Sequence, residues 1–104
     1  MKFRVLMLSD AEADFDRQFD YLLERSPQGA NTWSDAVDQA VHDLKHSADM
    51  HGLAPESNDY PFDVFQFIFK TKNGNPYRLL YEIHGSDVFI MTIRGLGQDF
   101  FESN

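Results

Sequence analysis

Between Phe62 and Arg94 three strand-like runs, Phe62–Lys70, Tyr77–His84 and Val88–Arg94, follow one another with only short turns between them. Asn73-Gly74, lengthened by Asn75-Pro76, marks the first turn, because both positions tolerate a positive φ. Gly85-Ser86-Asp87 marks the second. Such a stretch folds as a small antiparallel sheet, and period-two alternation assigns its faces. Leu79, Tyr81 and Ile83 point one way, with Arg78 and Glu82 opposite. On the last run the same rule sets Phe89, Met91 and Ile93 against Thr92 and Arg94. Phe65, Phe67 and Phe69 share one side of the first run. They are core if that side meets the rest of the chain; they form an exposed aromatic row, suited to a partner, if Phe62, Val64 and Ile68 do. A sheet that displays arginines where apolar residues would pack more cheaply reads as a recognition or reaction surface.

The preceding residues read as the support for that sheet. Phe3, Val5 and Met7 alternate with Arg4 and Leu6 as a first strand. Ser9-Asp10-Ala11-Glu12 then has the form of a capping box, and Ala11, Phe15, Phe19 and Leu22 recur at helical spacing over residues 10–24. Ser26-Pro27 is the next start signal, Ser as N-cap and Pro at the first helical position. Ala30, Trp33, Val37, Ala40, Val41, Leu44 and Ala48 carry an apolar stripe to about residue 48, which makes Trp33 a core residue. Few residues separate the two helices, so they pack as an antiparallel hairpin. Met50 to Pro61, with Gly52, Pro55 and Asn58, is a loop. The predicted order is β-α-α-β-β-β, an α+β fold with a helical hairpin packed on a small twisted antiparallel sheet, and at 104 residues the chain makes one domain, 1–104.

Charge and composition narrow the function. The net charge is −8, with twelve acidic and five basic residues in 1–60 against five and four in 61–104. A globule this acidic repels phosphate, so direct binding of free nucleic acid is not expected, and a protein partner fits its field better. With no cysteine there is no disulfide frame, thiol nucleophile or thiolate metal site. Met1 to Asp10 does not read as a secretory leader and no apolar run is long enough to span a membrane, which points to the cytoplasm. His42 and His46, four apart with Asp49 and His51 beyond, read as surface histidines, since the Glu of a zincin motif is missing. No metal and no cofactor are expected.

The order of elements and a set of motifs resemble the RelE/ParE superfamily of bacterial type II toxins, and within it the ParE branch, over nearly the whole chain. The resemblance rests on the strand running into Ser9-Asp10-Ala11-Glu12, on Tyr21-Leu22, on Arg25-Ser26-Pro27 and on Ala30 with Trp33. It continues through Leu53-Ala54-Pro55-Glu56, Tyr77-Arg78-Leu79-Leu80-Tyr81-Glu82-Ile83 and the Arg94 to Asp99 tail. It implies a small toxin neutralised by a protein antitoxin that lies on its helical groove and sheet. Two activities occur in the superfamily: ribosome-dependent mRNA cleavage in the RelE branch and inhibition of DNA gyrase in the ParE branch. Arg78 matches the arginine of the family's Tyr-Arg strand, which in the ribonucleases stabilises the reacting phosphate. Arg94 matches the arginine that opens the ParE-like tail, with Gly95 where a His is usual. The ribonuclease lysines fall near Phe67 and Phe69, with Lys70 and Lys72 close by, and the late tyrosine is replaced by Phe100 or Phe101.

RNA cleavage needs a base, cations over the scissile phosphate and an acid for the leaving oxygen. Arg78, Arg94 and Lys70 are candidates for the second role only, since arginine does not deprotonate in proteins. The leading expectation is therefore a toxin that binds a macromolecular target such as gyrase through Arg78 and Arg94, with Gln98 and Asp99 as tail contacts. A RelE-like mRNA endoribonuclease acting at the ribosome is the second, and an inactive or repurposed member that binds only its antitoxin or another protein is the third; a homodimer is a further partner compatible with each. The competing structural account makes Arg78 an ion-pair partner of Glu82 or another carboxylate, and Lys70 and Lys72 solvated edge charges. The functional reading requires both guanidinium groups to emerge side by side on an accessible surface.

Overall fold

Side chains that alternate along β2 (Phe65–Lys70) decide which way the sheet faces. In the computed structural model, which describes residues 2–71 and 74–95, Phe65, Phe67 and Phe69 all pack on the helical side. Phe65 stacks on Tyr81 and Phe69 on Tyr77, at 5.7 and 6.0 Å between ring centres. The phenylalanine row is core, and Ile68 takes the opposite, exposed side. The strand begins at Phe65 rather than Phe62, because a short 3-10 turn at Pro55–Asp59 and then Pro61 hold the preceding chain out of extended pairing.

β3 (Pro76–His84) and β4 (Asp87–Gly95) complete the meander, and Gly85 turns between them at a φ of +61°, where a side chain would be strained. Asn73 of the other turn lies outside the described residues; Gly74 donates its N–H to the Thr71 carbonyl at 3.3 Å. β1 (Arg4–Met7) adds to the far edge of β4 in parallel, so the order is β1-β4-β3-β2 and the sheet is mixed. Two helices, α1 (Ser9–Arg25) and α2 (Pro27–Ser47), cover one face, as the β-α-α-β-β-β reading predicts. Among the described residues the other face, called the far face below, carries the segment between Ala54 and Val64.

Helix starts differ in how far local chemistry sets them. Ser26 caps α2 as its sequence predicts, its hydroxyl accepting from the Gly29 N–H at 3.0 Å with Pro27 in the first turn. The capping box at Ser9 does not form. Leu8 still donates its N–H to Ile90 in the sheet at 2.9 Å, so the strand runs directly into the helix and Leu8, without a capping side chain, takes the N-cap position. The core beneath both helices holds Trp33, Val37 and Leu44 against Leu79, Tyr81, Val88 and Ile90. Trp33 meets Phe15 and Tyr77 at 5.1 and 5.7 Å. Buried Tyr81 reaches the end of α2, donating to the Ala48 carbonyl at 2.7 Å, and burial holds its phenol well above the usual range.

Strict alternation fails on β4. Tyr81 pairs with Ile90 but Leu80 with Thr92, so Met91 is the extra residue of a β-bulge. Ile93 consequently joins Val88 and Ile90 in the helical core, whereas Met91 packs with Ala54, Val64 and Leu80 in a small second cluster on the far face. The bulge also falls where β1 ends, and among the described residues no strand pairs with the edge of β4 beyond Ile90. Helix α1 takes its place. Asp14 accepts from the Ile93 N–H at 3.1 Å and from the Thr92 hydroxyl, and Gln18, one turn on, donates to the Ile93 carbonyl at 2.9 Å. Gln18 is buried, so replacing it with leucine leaves that carbonyl unpaired, at a cost of about 1–3 kcal/mol. Urea unfolding of Gln18→Leu should show a lowered midpoint at unchanged slope; a wild-type midpoint would refute the clasp.

Candidate functional site: an arginine pair closed by Glu56

Arg78 on β3 stands directly across from Arg94 on β4, with Ile68 of β2 on its other side. Two like charges facing each other across strands repel, and the fold resolves this with a carboxylate brought from elsewhere in the chain. The segment after α2 crosses the far face. Its ends are tied by the Ala54 N–H to the Val64 carbonyl at 2.8 Å and by the Val64 N–H to the Ser57 hydroxyl at 2.9 Å. This places Glu56 over the guanidinium. Arg78 Nη1 donates to Glu56 Oε1 at 2.9 Å and Nη2 to Oε2 at 2.5 Å, a forked charge-assisted pair. Nη1 also donates to Gln66 Oε1 at 2.9 Å.

The Arg78 side chain is 4% exposed and Glu56 is 22% exposed, so the acid forms the outer layer of the pair. The bond to Arg78 is the largest cause that holds the Glu56 carboxyl below its ordinary value of 4.5. A backbone bond within Glu56 and the charges of Arg78 and Arg94 act the same way, and burial opposes them. A carboxyl lowered in the folded state stabilises fully above its unfolded value, and that stability is lost as pH falls through the folded value. Acid unfolding of wild type should therefore carry a component below about pH 4.5 that Glu56→Gln lacks; parallel profiles for the two proteins would show that the pair contributes nothing.

This arrangement corrects the requirement that both guanidinium groups lie open. Arg78 is sealed beneath a carboxylate that the sequence reading did not identify. Arg94 is half-buried and lines a groove of about 780 Å³ between the start of α1, the far face and the crossing segment. Leu8, Tyr60, Phe62, Leu80 and Met91 give the groove its apolar surface, and Tyr60 and Phe62 pack on each other at 5.3 Å on its exposed rim. Its charges are mixed: Asp10, Asp14, Glu56 and Glu82 against Arg17 and Arg94. Arg17 is bonded to Asp14 at 2.7 Å, and Glu82 to exposed His84. Lys70 is exposed at the end of β2, on the same side of the sheet as Ile68. Gln98, Asp99 and Lys72 lie outside the described residues.

Glu56, Tyr60 and Phe62 are the groove residues that sequence reasoning missed. Leu53-Ala54-Pro55-Glu56 drew notice as a motif, but nothing local announces which cation its acid will meet. His42 and His46 are exposed on α2 with rings 6.1 Å apart, and among the described residues no three metal-ligating side chains converge. Among the described residues no helix is long and apolar enough to cross a membrane.

Comparison with known proteins identifies the scaffold. A family model described as the ParE toxin of the type II toxin-antitoxin system, parDE, matches residues 5–100. A solved structure titled as a chromosomal ParDE TA system from P. aeruginosa superposes with a TM-score of 0.70 at 18% identity. The match covers 90% of this chain and 96% of that one. No curated protein matches the chain.

Proposed function

The chain belongs to the ParE toxin family of type II toxin-antitoxin systems, and from that premise we propose that it arrests growth by binding DNA gyrase through the far-face groove. In this reading residues 1–104 act as one toxin domain in the cytoplasm, silenced by a cognate antitoxin. Arg94 is the charged contact within the groove, with Gln98 and Asp99 following it in the tail. Arg78 acts indirectly, by anchoring the segment that carries Tyr60 and Phe62.

The make-up of the groove carries this reading. An apolar surface with an aromatic rim and charges of both signs is what a protein-binding patch needs, aromatic residues and arginine supplying most of the affinity. A phosphodiester site would need cations in excess, and among the described residues four carboxylates and two guanidinium groups line the groove. The test is induced expression in a bacterial host with no antitoxin supplied. Growth should stop with signs of DNA damage and with transcripts intact. Ribosome-dependent cuts in mRNA would instead assign the chain to the ribonuclease branch, and undisturbed growth would leave it a protein-binding relic.

A further inference from the structure

The chain has four histidines, and the fold engages two of them. His51 Nε2 bonds with the Ser47 hydroxyl at 3.0 Å, and its ring packs on Phe67 at 4.5 Å between ring centres. His84 is bonded to Glu82. His42 and His46 are the remaining pair, both exposed on the last turns of α2. Among the described residues neither imidazole has a hydrogen bond or an ion pair, and the two rings stand 6.1 Å apart with their planes at 72°. Polar neighbours on the same turns are committed to one another: Gln39 donates to the Asp43 carboxylate at 2.9 Å, and the Ser47 hydroxyl to the Asp43 carbonyl at 2.8 Å.

Four residues is a little over one helical turn, so both rings leave the same stripe of the helix. The backbone beneath them is fixed, because Ala40 and Leu44 of these turns are buried in the core. The spacing of the pair is therefore set before any ligand arrives. A cation about 2.0–2.1 Å from one nitrogen of each ring fits rings at this separation after side-chain rotation alone. Asp38, one turn before His42, is exposed on the same stripe, and the net charge of −8 draws cations to the chain.

We propose that His42 and His46 form a chelating site for one divalent transition cation, Cu²⁺, Ni²⁺ or Zn²⁺, with water completing its coordination. Imidazole suits these ions, whereas Mg²⁺ and Ca²⁺ take oxygen ligands. The missing glutamate of a zincin motif excludes that catalytic centre and leaves a two-histidine chelate intact. The site lies in the helical layer, across the sheet from the far-face groove, and stands apart from the gyrase reading.

The test uses the full chain without an affinity tag. Isothermal titration should show one cation per chain, with Cu²⁺ bound most tightly of the three and Mg²⁺ not bound. Thermal unfolding should show a rise in Tm with Ni²⁺ or Zn²⁺ that EDTA reverses, because only the folded helix holds the two rings together. His42→Gln and His46→Gln should each melt with wild type in the absence of metal, lose the metal-dependent rise and weaken binding by at least about tenfold. His84→Gln should retain both. No rise in Tm with either cation, a rise that survives both substitutions, or one that His84→Gln removes would overturn the inference.

Discussion

Glu56→Ala should unfold about 3–5 kcal/mol more easily than wild type, the cost of breaking a buried ion pair by removing one of its members. At roughly 4–8 °C per kcal/mol for a domain near this size, the loss is large in a thermal melt. The reason lies in the asymmetry of exposure: Arg78 is the sealed member, and without Glu56 its Nη1 retains the bond to Gln66 while the forked pair is gone. Arg78→Met combined with Glu56→Leu should cost much less than Glu56→Ala alone, since replacing both charges with apolar groups leaves no buried ion. Chemical denaturation of the three proteins measures this. A Glu56→Ala midpoint close to wild type would mean the pair is a surface contact of little weight.

Arg94→Ala should separate binding from stability. Arg94 lines the groove and faces Arg78 across the strands, so its loss relieves a repulsion as well as removing a contact. Folding should stay within about 1 kcal/mol of wild type. If Arg94 is a hot spot, target affinity should fall by about 2–4 kcal/mol, roughly 30- to 700-fold, and growth arrest should disappear while the protein accumulates normally. Arg78→Ala has the opposite character, losing activity through loss of folded protein. The two phenotypes are distinguished by measuring soluble protein beside growth. Full toxicity of Arg94→Ala at wild-type abundance would remove Arg94 from the target surface.

What could be read from the sequence follows from how local each cause is. Ser26-Pro27, the Ala30 to Ala48 stripe and Gly85 act over a few residues, and each produces the element its chemistry predicts. The phenylalanine row showed alternation but not which side would be covered, because a period of two sorts residues without saying where the core lies. The start of α1 was misplaced by one residue, since the deciding bond runs from Leu8 to Ile90, far along the chain. Met91 looked like an ordinary strand residue, and only the pairing of β3 with β4 makes it a bulge that turns Ile93 inward. For the site, the two arginines were visible and their adjacency across strands follows from the hairpin. Their accessibility did not follow, because Glu56 lies 22 residues from Arg78 in a segment with no periodic pattern.

Arg78 therefore changes role rather than leaving the account. In the proposed reading it anchors the far-face segment, and Arg94 with the aromatic rim makes the target contact. Supercoiling of relaxed plasmid by purified gyrase, with and without the purified chain, tests that account most directly. Supercoiling should be inhibited by wild type and spared by Arg94→Ala. Complete supercoiling in the presence of a molar excess of folded wild-type chain would contradict it.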